Sequence, residues 1–154
     1  MTLGMSEQEF HDFMDYQIMT DYLISNTDRH MNNIAIMRNP DTLKILGFAP
    51  IFDSGNSMFY NISLEGLSKV RLSEIKTHSF IEKESKLLQY VRNRSLVHID
   101  KANMDFSIYE KDIIEQHVRI PKLKELYQRK VDALYSFQNG KDIWKSSEYK
   151  NKPL

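Results

Sequence analysis

The chain contains no cysteine, which excludes disulfides, thiolate metal sites and a cysteine nucleophile. Glycine and proline are scarce, at five and four in 154 residues. With 41% hydrophobic and 27% charged residues, that scarcity argues against disorder and for one domain with a real core. No apolar run approaches the roughly 20 residues of a membrane span. The N-terminal MTLGMSEQEF lacks the basic and apolar regions of a signal peptide. Excess charge of either sign is also missing, since Lys plus Arg and Asp plus Glu each number 21. A nucleic-acid binder normally carries a basic surplus, so direct nucleic-acid binding is not expected. These absences leave a soluble cytoplasmic protein as the expectation.

The pattern that is present predicts a mainly α fold with one small β-hairpin. Residues 6–25 form an amphipathic helix, with Ser6 and Glu9 in capping-box spacing. Phe10, Phe13, Met14, Ile18, Tyr22 and Leu23 make its apolar face. Ser25 and Asn26 stop it. Residues 34–38 and 43–48 read as two strands around the turn Asn39-Pro40-Asp41. Residues 56–72 read as loop or short irregular elements, and 73–94 as helix in two pieces with Phe80, Ile81, Leu87, Leu88 and Val91 in the core. Residues 98–107 form a connection. Residues 108–138 form one or two helices, with Ile113, Ile114, Val118, Leu123, Leu126, Tyr127, Val131, Leu134 and Phe137 inside. Pro121 is expected to start the second of these, and Asn139-Gly140 to end it. The domain spans 1–140, and 141–154 is expected to be a flexible tail.

Chemistry concentrates between Asn26 and Gly55. Asp28 precedes Asn33 by five residues, and Asp53 follows Asn33 by twenty inside Ile51-Phe52-Asp53-Ser54-Gly55. The hairpin places Asn33 at one end and Asp53 at the other, close in space. Phosphoryl transfer requires a carboxylate to orient the attacking hydroxyl and oxygen ligands to hold Mg²⁺ on the phosphates. Mg²⁺ prefers carboxylate and amide oxygens, which Asp and Asn supply. The kinase template places Asn five positions after the catalytic Asp, then Asp-x-Gly, and both spacings recur here in that order. Taken singly, Asp28 reads equally well as a capping Asp, Asn33 as a loop amide and Asp53 as a turn residue. It is their combination that points to a site. His30 either polarises and braces this loop or bonds a loop carbonyl. Arg29 is a weaker candidate. His11, His78, His98 and His117 share no ligand spacing and read as structural or exposed. The eight Met residues fill gaps in apolar patterns.

From Tyr16 to Met58, with Asn26-x-Asp28-x-His30-x-x-Asn33 and Ala49-Pro50-x-x-Asp53 as its specific parts, the chain resembles the C-terminal lobe of HipA-like serine/threonine kinases. Those proteins are the toxin halves of bacterial toxin–antitoxin modules and their relatives. The resemblance implies a kinase-like C-lobe in which Asp28 is the catalytic base and His30 the loop histidine. It implies that Asn33 and Asp53 hold Mg²⁺ and, through it, ATP. It also implies a protein substrate and an N-lobe or antitoxin partner. No glycine-rich phosphate loop or strand lysine of an N-lobe is recognisable in the sequence. A truncated or split kinase half, with little turnover alone, is therefore expected. The alternatives are a non-catalytic remnant or binding module, and, less supported, a helical DNA-binding domain.

Overall fold

The computed structural model describes residues 4–107 and 114–145. Among these residues it is a small α+β protein. Helix α1 spans Glu7–Ile24, strands β1 and β2 span Ile36–Arg38 and Ile45–Phe48, and short helices α2 and α3 span Leu64–Leu67 and Glu84–Leu87. Helix α4 spans Ile114–Gln138, and four 3₁₀ turns lie in the connections.

Helix α1 begins on the expected capping box. The Glu9 N–H donates to Ser6 Oγ at 3.2 Å, and the Ser6 N–H donates to Glu9 Oε2 at 2.8 Å. The helix stops at Ser25, whose left-handed backbone (φ 50°) lets its N–H close on Asp21 and Tyr22 carbonyls. Its two ends serve different neighbours. Phe13 stacks on Phe48 of the hairpin at 3.9 Å, whereas Ile18, Met19, Tyr22 and Leu23 enter the core. Asp15 ties the middle of α1 to a distant loop by accepting the N–H groups of Arg92 (3.0 Å) and Asn93 (2.7 Å).

The strands are antiparallel, with Ile36 opposite Phe48, Met37 opposite Gly47 and a bulge between Met37 and Arg38. They are shorter than the apolar runs suggest because Asn39 organises a wider turn. Its Oδ1 accepts the N–H groups of Asp41 and Thr42, and its carbonyl accepts that of Leu43.

The core has two parts. One joins α1 to Leu87, Leu88, Val91 and the C-terminal half of α4, and the other joins Phe59, Leu67, Val70 and Leu72 to its N-terminal half. Leu67, Leu88, Leu126 and Leu134 are fully enclosed. Truncating any one to Ala costs about 2–5 kcal/mol.

Five expectations are corrected. Residues 73–94 are not two helices; they hold two 3₁₀ turns and the four-residue α3. Their backbone groups are committed elsewhere: the Thr77 N–H donates to the Glu82 carbonyl, and the His78 N–H to the Thr27 carbonyl. Phe80 consequently lies outside the core, 61% exposed, against Tyr90. Pro121 lies inside α4 and starts no helix. Its ring leaves the His117 carbonyl without its helical donor, and burial of Ile120, Leu123 and Leu126 around it carries the helix through. Val118 is 52% exposed rather than inside. The tail does not begin at 141, because Ile143 is buried and Trp144 packs on Phe137. Gly140, at φ +91°, ends α4 as expected, and the Lys141 N–H donates to the Ser136 carbonyl. Ile113, the side chain of Ile114 and the tail beyond 145 lie outside the described residues.

Candidate active site

Three segments meet at the end of α1: 26–33, 52–58 and 77–79. The Thr27 N–H donates to the Asn56 carbonyl at 3.1 Å, and the Met58 N–H to the Ile24 carbonyl at 2.7 Å. The Thr27 carbonyl in turn accepts the His78 N–H (2.8 Å) and Thr77 Oγ1 (3.1 Å). Asn26 shapes the turn from inside. Its Nδ2 donates to Asp21 Oδ1 at 3.0 Å, and its Oδ1 accepts the Asp28 N–H.

Asp28 emerges from this turn with both carboxylate oxygens engaged. Asn56 Nδ2 donates to Oδ2 at 2.6 Å, and His78 Nδ1 lies 2.9 Å from Oδ1. The His78 bond is the largest influence holding the carboxyl below the usual Asp range. Partial desolvation opposes it, while the Asn56 bond and the charges of His30 and His78 add to it. Asp28 is therefore an ionised, oriented acceptor at neutral pH.

Asn33 and Asp53 meet across the hairpin, with Asn33 Nδ2 donating to Asp53 Oδ2 at 2.5 Å. Asp53 is in the left-handed region at φ 54°, which Asp tolerates better than most residues. Asn33 is 2% exposed and its Oδ1 has no hydrogen-bond partner. An orphaned buried amide oxygen beside a carboxylate fits a hard cation, since turning the amide would direct both oxygens to one point. Among the described residues no cluster of three or more His, Asp or Glu forms a metal cage. The pair instead suits Mg²⁺, which binds through one or two protein oxygens and completes its shell with water and phosphate.

Arg29 holds the two halves together from below. Its Nε and Nη2 donate to the Asp21 carboxylate at 2.8 and 3.0 Å, and its Nη1 donates to the carbonyls of Phe52 (2.6 Å) and Asn33 (3.3 Å). Nη2 also reaches Ser54 Oγ at 3.3 Å. One buried guanidinium thus fixes the Asn33 turn against the Asp53 loop.

Of the residues singled out by sequence, Asn33 and Asp53 touch, Asp28 stands on the neighbouring turn, and His30 is exposed, acting on Asp28 through its charge. Sequence reasoning missed His78 and Asn56 and underrated Arg29. Asn56 carried a weak signal, an amide directly after Asp53-Ser54-Gly55. His78, fifty residues from Asp28, carried none. A scan of protein-family models, a search of curated proteins and a search of solved structures each gave no match for this chain.

Proposed function

We propose that this chain is the catalytic C-lobe of a HipA-like serine/threonine protein kinase, transferring the γ-phosphoryl group of ATP to a protein hydroxyl. The observation that carries this reading is the juxtaposition of an oriented carboxylate, Asp28, with the Asn33–Asp53 pair and its orphaned amide oxygen. Asp28 orients the substrate hydroxyl and accepts its proton as the new O–P bond forms and the bond to the ADP oxygen breaks. A carboxylate of low basicity suits this role, because in a loose transition state the proton leaves late and positioning dominates. His78 and Asn56 keep the carboxylate from rotating away. Asn33 and Asp53 would hold Mg²⁺, which neutralises phosphate charge when bound. His30, two residues on, favours the ionised form of Asp28.

Contacts to the α- and β-phosphates would come from an element beyond these residues, continuous or separate. Ile36, Met37 and Leu46 are exposed on the hairpin, which gives such an element an apolar surface to cover. A non-catalytic module that binds the cation alone is the second reading, favoured by both Asp28 oxygens already having protein partners. Titration calorimetry with Mg²⁺ and Mg-ATP, followed by radiolabelled phosphoryl transfer to protein with and without an added N-lobe, separates them. The kinase reading requires Mg²⁺ binding that Asn33→Leu and Asp53→Asn each weaken, and transfer that Asp28→Asn abolishes. Transfer surviving Asp28→Asn would sink it, and binding without transfer under all conditions supports the module.

A further inference from the structure

A cavity of about 470 Å³ opens beside the Asp28 carboxylate. Asn56 and His78, the two side chains that hold that carboxylate, both line it, whereas Asn33 and Asp53 do not. Phosphoryl transfer sets the attacking and leaving oxygens roughly in line. Space that borders Asp28 and not the cation pair therefore belongs to the acceptor and not to the nucleotide. Its volume lies within the roughly 300–1,000 Å³ of sites that enclose whole ligands, so a short stretch of peptide fits. Residues 59–62 form one wall, and Arg119 braces them by donating to the Phe59 carbonyl at 2.6 Å and the Ile62 carbonyl at 2.7 Å. Buried Phe59 and Val70 supply an apolar floor.

The charge of the lining is one-sided. Lys69, Arg71 and Lys76 stand against a single carboxylate, Glu74, which is already bonded to Lys83 at 2.6 Å. Lys69 and Lys76 pair with Glu65 and Glu82, neither of which lines the cavity, and both pairs are exposed. Exposed ion pairs of this kind are weak and screened by salt, so they yield to a carboxylate inside the cavity. Arg71 is the least committed of the three. Among the described residues it has no ion-pair partner, and it acts on Glu74 only through its charge. A guanidinium with its donors unspent matches a carboxylate in a two-pronged geometry that an ammonium cannot offer.

We propose that this cavity recognises an acidic side chain, aspartate or glutamate, that flanks the acceptor hydroxyl in the protein substrate. Arg71 is its main contact, with Lys69 and Lys76 in support. The proposal deepens the phosphoryl-transfer reading and rests on it for the hydroxyl that the acidic residue accompanies. The floor accommodates the methylene stem of the guest, and the cations meet its carboxylate at the rim.

The test is fluorescence anisotropy of the full chain with labelled alanine-based peptides carrying a central serine. Aspartate, glutamate, alanine or lysine occupies one flanking position at a time, and a set with phosphoserine at the flank forms a separate arm. At one flank, aspartate or glutamate should bind about tenfold tighter than alanine, the scale of one hydrogen bond to a charged group. Lysine should bind weakest, and added salt should narrow the gap. Arg71→Gln should remove most of the preference and Lys76→Gln part of it. Arg71→Glu should turn the preference towards lysine, a reversal that unfolding cannot produce. Equal binding of all peptides, no binding of any, or a gain that is uniform over every position overturns the proposal. So does a preference that survives Arg71→Gln combined with Lys76→Gln. Binding of the phosphoserine set with none of the aspartate and glutamate sets makes the cavity a phosphate site and also overturns it. Mg²⁺ titration at Asn33 and Asp53 uses none of these cations. An acidic preference without Mg²⁺ binding condemns the catalytic reading and leaves an acidic-peptide site, whereas Mg²⁺ binding without the preference condemns only that site.

Discussion

Replacing Arg29 with methionine separates what this residue contributes to stability from what it contributes to the site. The guanidinium donates twice to the Asp21 carboxylate, twice to loop carbonyls and once to Ser54 Oγ. The methionine stem fills most of the space but leaves Asp21 buried, with the Asn26 amide as its remaining side-chain donor. Breaking a buried pair from one side costs about 3–5 kcal/mol, against a total stability of about 5–15 kcal/mol for a domain. For this chain length each kcal/mol moves Tm by about 2–4 °C, so Arg29→Met should lower Tm by roughly 6–20 °C. Asp21→Asn in the same chain removes the stranded charge and should recover more than half of that loss. It cannot restore the donors to the Phe52 and Asn33 carbonyls. On the proposed phosphoryl-transfer reading, Mg²⁺ affinity should therefore stay weakened in the double variant even where Tm returns. Denaturation with coupled calorimetry reads both quantities. A loss below about 0.5 kcal/mol for Arg29→Met, within the range of ordinary surface substitutions, would refute the burial argument. Full Mg²⁺ affinity in the double variant would refute the positioning argument.

Three further outcomes are expected. His78→Ala removes the largest influence lowering the Asp28 pKa, so ¹³C NMR should find the Asp28 carboxyl titrating at higher pH than in the parent, and an unchanged titration refutes the assigned contact. Burial pushes the Glu84 carboxyl up to about 7 despite its Lys130 partner, so the folded state binds more protons than the unfolded state between the ordinary value of 4.5 and about 7. Stability from this group is complete below that window and lost as pH rises through it, and Glu84→Gln should flatten the fall of Tm across pH 4.5–7. Pro121→Ala restores a helical donor to the His117 carbonyl at an exposed position. It should stabilise by about 1–2 kcal/mol, less than the roughly 3 kcal/mol host-helix penalty because proline also restricts the unfolded chain. Urea melts read the change, and a loss of stability counts against a continuous α4.

What could be read from sequence was local or closed by a short loop. The Ser6–Glu9 box and the stop at Ser25 lie within α1, and Asn39 marks the hairpin turn. Because that hairpin brings its own two ends together, the approach of Asn33 to Asp53 could be anticipated from a spacing of twenty residues. The second layer of the site could not. His78 reaches Asp28 only because its backbone N–H and the Thr77 hydroxyl both bind the Thr27 carbonyl. That contact has no periodic signature, and it pulls residues 77–79 out of the helical pattern their neighbours suggest. Periodicity likewise misplaced Phe80 and Val118, since it records which residues share a face and not whether that face is covered.

Cations that reach backbone carbonyls reveal why the loops were the least legible part. Lys130 is fully enclosed on the core face of α4, where hydropathy patterns expect an apolar residue. There its Nζ donates to the Tyr22 carbonyl at 2.8 Å, pairs with Glu84 and lies 4.1 Å over the Tyr22 ring. Arg119 donates to the carbonyls of Ile62 and Phe59, and Arg94 to that of Phe137. Together with Arg29, these cations donate to carbonyls at helix ends and in the loops. Helix ends and irregular segments leave carbonyls with acceptor capacity to spare, and a donor with reach can fill it. A guanidinium or ammonium distant in sequence supplies it, and for Arg29, Arg94 and Lys130 a carboxylate partner offsets the desolvation. In a sequence these residues look like solvated charge, because the carbonyls they serve have no side-chain signature. The same reasoning makes them poor sites for neutral replacement: a methionine at 29 removes the donor to the Phe52 and Asn33 carbonyls, so site geometry should fail before the helices do.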